Sequence, residues 1–168
     1  RTLRQLGRAE EILKGADMDV NEKLVPPCGL YCGVCGIMYA TRDDNEKFRD
    51  KLATVYGLPA EEIHCEGCLA EGDAVFTYCR VCPIKSCTGE RGYRGCHECD
   101  DFPCTFIDEF PMPVGKKVIM RAIPRWREVG IEQWIAEEEE RCVCPKCGAR
   151  LFRGAKRCRE CKEPVDVD

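Results

Sequence analysis

The sequence predicts a small metal-stabilised α+β protein in three parts: a cysteine-rich knuckle domain, a helical connector and a C-terminal zinc ribbon. Three observations carry that expectation. Sixteen of 168 residues are cysteine and only two are histidine, so the ligands on offer are thiolates rather than imidazoles. Most of the cysteines fall in C-x2-C pairs, the spacing with which one tight turn aims two sulfurs at one ion. The run 111–140 holds no cysteine and shows helical apolar periodicity instead. The expected divisions are an N-terminal helical segment at 1–22, the cysteine-rich metal-binding domain at 23–110, the connector at 111–140 and the ribbon at 141–168.

Leu3, Leu6, Ile12 and Leu13 mark a weak amphipathic helix with Gly15 as its stop. The stretch "CGLYCGVC" then places Cys28, Cys32 and Cys35 among Gly29, Gly33 and Gly36. Glycine permits the dihedrals that turn backbone N–H groups towards sulfur. "TRDDNEKFRDKLATVYG" reads as one helix, capped by Thr41 or Asp43 and ended by Gly57, with Phe48, Leu52, Val55 and Tyr56 as a core stripe. Pro59 suits the first turn of a short helix delivering Cys65 and Cys68.

An internal repeat follows. Cys79, Cys82 and Cys87 have C-x2-C-x4-C spacing, and Cys96, Cys99 and Cys104 repeat it after the link "TGERGYRG". In the connector, Val118, Ile119, Ala122 and Trp126 share one helical face, and Pro124 is expected to kink or restart the helix. "IEQWIAEEEE" continues as an acidic helix with Ile131, Trp134 and Ile135 inward and the glutamates solvated. Both tryptophans are expected in the core.

The ribbon is the strongest single motif. Cys144 and Cys147, then Cys158 and Cys161, form two C-x2-C pairs ten residues apart, enough for one tetrahedral zinc ion. Cys142 is left over, expected as a free buried thiol. Upstream, Cys28, Cys32, Cys35, Cys65, Cys68, Cys79, Cys82, Cys87, Cys96, Cys99 and Cys104 are candidate ligands for further Zn2+ ions. Eleven is one short of three four-ligand sites, with His64 or His97 as a possible twelfth. Alternatively the repeat forms a two-zinc, six-cysteine cluster, with Cys32, Cys35, Cys65 and Cys68 as a separate site. An iron–sulfur cluster in this central region is the alternative cofactor, since four thiolates hold one as readily.

The C-x3-C-x2-C spacing of residues 28–35 matches the radical-SAM signature, but the context does not. Val34 stands where an aromatic residue is usual, and no βαβ alternation or glycine-rich motif follows. The chain after Cys35 is also short of the partial barrel such enzymes need. No H-E-x-x-H and no deaminase-type H-x-E with P-C-x-x-C is present, so the expectation leans away from an enzyme.

The order of "CGLYCGVC", a helix, "CEGC", "YCRVC", a further C-x2-C and "FPC" resembles the DUF3795 family over Pro26 to Phe110. These are small cysteine-rich proteins of unknown function. The resemblance extends to some relatives in which a helical "REVG-x-E-x-W" segment and a terminal ribbon follow, as Arg127 to Trp134 and Cys144 to Cys161 do here. The resemblance implies metal binding and supplies no activity.

The formal net charge is −4, yet residues 141–168 carry eight basic and four acidic side chains. Arg150, Arg153, Lys156, Arg157, Arg159 and Lys162 offer that surface to nucleic acid or to an acidic protein. Phe152 is the one ribbon aromatic for base stacking. No stretch of about 18 apolar residues exists to span a membrane, and "RTLRQLGRAEEILKG" has no signal-peptide centre. The expected setting is therefore the cytoplasm, where dense cysteines bind metal rather than pair as disulfides. The expected function is that of a zinc-binding structural or adaptor module with an unidentified protein partner. An electron-transfer protein and a nucleic-acid-binding ribbon are the alternatives.

Overall fold

The computed structural model describes residues 20–168. The helix expected at the N-terminus lies almost wholly outside them. Among the described residues the architecture is helical, and the β component of the expected α+β fold reduces to two isolated bridges, Val143 with Arg150 and Arg157 with Pro164. Both bridges sit in the C-terminal segment, where each cysteine turn leaves room for one pairing only.

The helices are α1 (Gly36–Arg42), α2 (Glu46–Tyr56), α3 (Thr77–Arg80), α4 (Pro83–Arg91), α5 (Thr105–Asp108), α6 (Pro113–Val129) and α7 (Ile131–Arg141). Short 3-10 turns carry several of the cysteines between them, at Cys32–Val34 and Cys96–Glu98. The expected single helix over residues 41–57 is two. α1 stops at Arg42, Asp44 takes a left-handed conformation, and Asn45 rather than Thr41 or Asp43 caps α2 by accepting from the Phe48 N–H. Gly57 ends α2 in the left-handed conformation as expected. The stripe on α2 is only half-buried, and Val55 is 77% exposed. The helix lies on the edge of the molecule, against a small cluster of Ile37, Ile63, Cys65 and Phe76.

Residues 111–140, expected as a connector, supply the centre of the main core. α6 opens with Pro113 in its first turn and runs unbroken through Pro124 to Val129. That proline removes one backbone hydrogen bond, and the helix is held on either side of it by the buried Ile123 and Trp126. Val118, Ile119 and Ala122 complete the apolar face of α6, and Ile131, Trp134 and Ile135 that of α7. Trp126 stacks on Trp134 at a centroid distance of 4.6 Å and an interplanar angle of 6°. His97 stacks on the outer side of Trp126 at 3.8 Å, and Tyr31 meets the edge of Trp134 at 6.0 Å. A ladder of four rings thus joins the turn at Cys96 to the turn at Cys28–Cys35.

The acidic run of α7 is not simply solvated. Glu138 is buried and pairs with Arg121, whose Nη2 also reaches Asp168 at 2.9 Å. Glu137 takes two hydrogen bonds from Arg125, and Glu139 accepts from the Tyr31 hydroxyl. The ribbon segment contributes Leu151, Ala155, Cys158 and Val167 to the same core cluster as Trp126 and Cys28.

Gly29 shows how tightly the first cysteine turn is seated. Its φ is +83°, and an added Cβ would stand 3.1 Å from Ile123 Cδ1 and 3.2 Å from Ala122 Cβ on α6. A left-handed conformation costs a non-glycine residue about 1–2 kcal/mol before any contact is counted. Gly29→Ala is therefore expected to destabilise the protein by about 2 kcal/mol, read as a lowered midpoint in chemical denaturation.

Candidate metal centre

The ribbon cysteines are delivered by two turns of the same design. In each, the residue after the second cysteine returns its N–H to the carbonyl of the first: Gly148 to Cys144 at 2.9 Å and Lys162 to Cys158 at 3.1 Å. In each, that residue is left-handed, with φ +73° at Gly148 and +62° at Lys162. The pairings Cys144 N–H to Ala149 O and Cys158 N–H to Glu163 O, both 2.8 Å, close the turns.

The two turns bring four sulfurs together. Cys144, Cys147, Cys158 and Cys161 all lie within 4.8 Å of one another. Across the pair of turns, Sγ of Cys144 is 3.6 Å from Sγ of Cys161, and Sγ of Cys147 is 3.7 Å from Sγ of Cys158. Four sulfurs about 2.3 Å from one tetrahedral zinc ion stand about 3.8 Å apart, so the donor set fits zinc. Three of the four are at least partly covered, and Cys147 faces solvent. The backbone N–H groups of Cys147 and Lys146 draw the Cys144 thiol down to about 7. The Glu163 N–H pulls Cys161 the same way, but burial and the adjoining thiols push it up to about 12. A cluster holding some thiols as anions and others as acids is what closely set sulfurs do without a cation.

The eleven upstream cysteines are all unpaired. Among the described residues none of them joins a further group of three or more ligands as tightly gathered as the ribbon four. They are nevertheless close enough to raise one another's pKa. Burial and then Cys35, Cys68 and Cys65 hold Cys32 well above the usual thiol value. Burial, with Cys68, Cys35, Cys65 and Cys82 nearby, does the same to Cys79. Cys28 is pushed up to about 12 by burial, with Cys82, Cys96 and Cys79 as its thiol neighbours. Cys68 reaches about 12 by burial and the charges of Cys28 and Cys82. Cys87, Cys96, Cys99 and Cys104 gather around a common cavity, with Cys96 also near Cys28 and Cys82. Cys79 thus keeps company with Cys35, Cys65 and Cys68 rather than with the second half of its repeat, unlike the six-cysteine arrangement the repeat suggests.

Neither histidine joins a cysteine set of the ribbon kind. His64 is half-exposed, 3.7 Å from Glu66, and His97 is committed to the face of Trp126. Cys142 is buried beside the ribbon, outside the four.

One positioning residue carries no metal-ligand signature at all. Arg127 donates through Nε to the His97 carbonyl at 2.7 Å and through Nη2 to the carbonyls of Cys96 and Cys99. It ties the 96–99 turn to α6. Arg127 opens the "REVG-x-E-x-W" stretch, which gives its place in the helix but not its target.

A family model described as "Protein of unknown function (DUF3795)" matches residues 24–109. The chain belongs to this family. The match covers the eleven upstream cysteines of the DUF3795 region and stops short of α6, α7 and the ribbon. No curated protein and no solved structure matches the chain.

Two predictions test the local physics. Lys162→Gly relieves the left-handed strain of the second ribbon turn and is expected to raise stability by about 1 kcal/mol, measured by denaturation of the metal-loaded protein. Tyr56 is pushed from 10.0 to about 12 by burial and then by Cys35 and Cys79. Its neutral form is favoured in the fold, so its contribution is complete below pH 10 and is lost as pH rises from 10 towards 12. Tyr56→Phe should flatten that part of the alkaline fall in thermal midpoint, compared with the unmodified protein over the same range.

Proposed function

We propose that the chain is a zinc-dependent structural and interaction module, whose ribbon holds one Zn2+ on Cys144, Cys147, Cys158 and Cys161. The observation that carries this reading is the sulfur spacing of 3.6 and 3.7 Å across two turns of one design. A four-thiolate site leaves no open coordination position, so it shapes a surface rather than activating water. The upstream thiols extend the same chemistry into the DUF3795 region, where metal offsets the cost of burying sulfur beside sulfur.

A protein partner suits this surface better than nucleic acid. The basic side chains of the ribbon are largely occupied within the chain: Lys146 pairs with Glu163, Lys156 with Asp166 and Arg159 with Asp43. Arg153 donates to the Tyr31 carbonyl at 3.0 Å. Phe152 packs on Phe48 at 4.8 Å and on the edge of Tyr39, which removes the one ribbon aromatic from base stacking.

Elemental analysis of the full chain and of Cys158→Ser tests the reading. The variant is expected to lose one zinc per chain and to melt at lower temperature, with the upstream metal content kept. Equal zinc in the two proteins would exclude the ribbon as a zinc site.

A further inference from the structure

Outside the ribbon, one cavity is walled by sulfur. It encloses about 20 Å³ and is lined by Cys87, Cys96, Cys99 and Cys104 together with Ile84 and Phe102. Separate pieces of the chain deliver the four thiols. Cys87 comes from α4, Cys96 opens the 3-10 turn 96–98, Cys99 follows that turn, and Cys104 precedes α5 as its cap. The turn is fixed from behind by Arg127 and by His97 on Trp126. The thiols therefore point into the cavity from a held frame rather than from a loose loop.

The size of this site separates it from the ribbon. Sulfurs drawn to about 2.3 Å from a single zinc ion leave no water-sized void between them. These four sulfurs are not gathered as tightly as the ribbon set, the one such group among the described residues. The space they line exceeds the roughly 10–15 Å³ that one water needs. A thiolate cage spread wider than one ion can fill suits a polynuclear group. Its surroundings agree: Ile84 and Phe102 make the wall oily, and Arg91 Nη1 lies 3.7 Å from Cys99 Sγ while pairing with Asp101 at 2.9 Å. A cation donating to a cysteine sulfur offsets the negative charge of a thiolate-bound cluster.

On the reading of this chain as a metal–thiolate protein, on which this inference rests, we propose that Cys87, Cys96, Cys99 and Cys104 hold a [4Fe–4S] cluster. Loading is a ligand exchange. Each of the four protein thiols gives its proton to a departing small thiolate and takes that thiolate's place on iron, and no electron moves.

The test uses the full chain, purified without oxygen and mixed with a pre-formed four-iron cluster bearing small thiolate ligands. Iron, sulfide and zinc are counted, and absorbance near roughly 400 nm is followed. The unmodified protein should turn brown and retain iron and sulfide in equal amounts through gel filtration, with its ribbon zinc in place. Cys104→Ser and Cys87→Ser should each retain at least about tenfold less cluster while keeping the ribbon zinc, and Cys158→Ser should do the reverse. Far-ultraviolet dichroism identifies any variant that has lost its helices, and the other cavity variant is then the one read. Cluster retention unchanged in a folded cavity variant overturns the proposal. So does a colourless protein in which zinc, not iron, depends on Cys104; that result would leave the ribbon reading standing. Loss of zinc dependence on Cys158 would overturn the ribbon reading and leave the cavity result to stand by itself.

Discussion

The stacking of Trp126 on Trp134 is the contact from which the placement of the cysteine turns follows. These rings come from adjacent helices and lie nearly parallel in the core. His97 covers one end of the pair and Tyr31 the other. Each of those outer residues belongs to a cysteine turn, so the spacing of the turns is set by ring thickness and not by loop length. Aromatic pairs contribute about 0.5–1.5 kcal/mol beyond the area they bury. Three contacts in series make the ladder worth about 1.5–4.5 kcal/mol, a substantial fraction of the margin of about 5–15 kcal/mol by which a domain is stable. Arg127 adds a polar fastening at the His97 end: it donates to the His97 carbonyl and is a second donor to the Cys96 and Cys99 carbonyls, which already accept from the Cys99 and Phe102 N–H groups.

Sulfur forms part of this core as well as bordering it. Cys28, Cys96, Cys142, Cys144 and Cys158 are buried members of the same cluster as the tryptophans. Thiols tolerate that position as small apolar groups, whereas thiolates do not unless a cation accompanies them. Burial holds Cys28, Cys68 and Cys96 up near 12, so they are neutral thiols at neutral pH, and a metal bound there would have to displace their protons. The ribbon differs, because its turn N–H groups already hold Cys144 near 7. One chain thus carries a thiol set part-way to its anionic form and others that burial keeps protonated.

Much of this was legible in the sequence where the cause is local. A C-x2-C turn closes on itself, so the four ribbon ligands follow from spacing, and the apolar faces of α6 and α7 follow from period 3.6. Gly57 stops α2 because a left-handed cap needs little beyond glycine. What the sequence withheld depends on neighbours in space. Val55 continues a helical stripe yet faces solvent, because the core lies on the other side of the molecule. Glu138 sits in an acidic run yet is buried, because Arg121 stands opposite. Pro124 lies within an unbroken helix, because buried side chains hold both flanks. The grouping of Cys87 with Cys96, Cys99 and Cys104 crosses the boundary of the repeat, since it is decided by how α4 and the 96–99 turn meet and not by their spacing along the chain.

The ribbon is mounted on the first cysteine turn, which couples the two cysteine-rich parts of the chain. The Arg153 N–H reaches the Val34 carbonyl at 2.8 Å, and its guanidinium reaches the Tyr31 carbonyl at 3.0 Å. Val34 stands between Cys32 and Cys35, and Tyr31 is the outer rung of the aromatic ladder. A backbone segment of the ribbon therefore supplies donors to the very peptide units that aim the upstream thiols. Each such bond contributes about 1 kcal/mol net, and leaving its buried acceptor unpaired costs about as much or more. At the far end of the segment, Arg121 holds Asp168 against α6. The ribbon turns thereby steady the 28–35 turn from outside the family region, so that the two parts of the chain pack as one unit rather than as beads on a string.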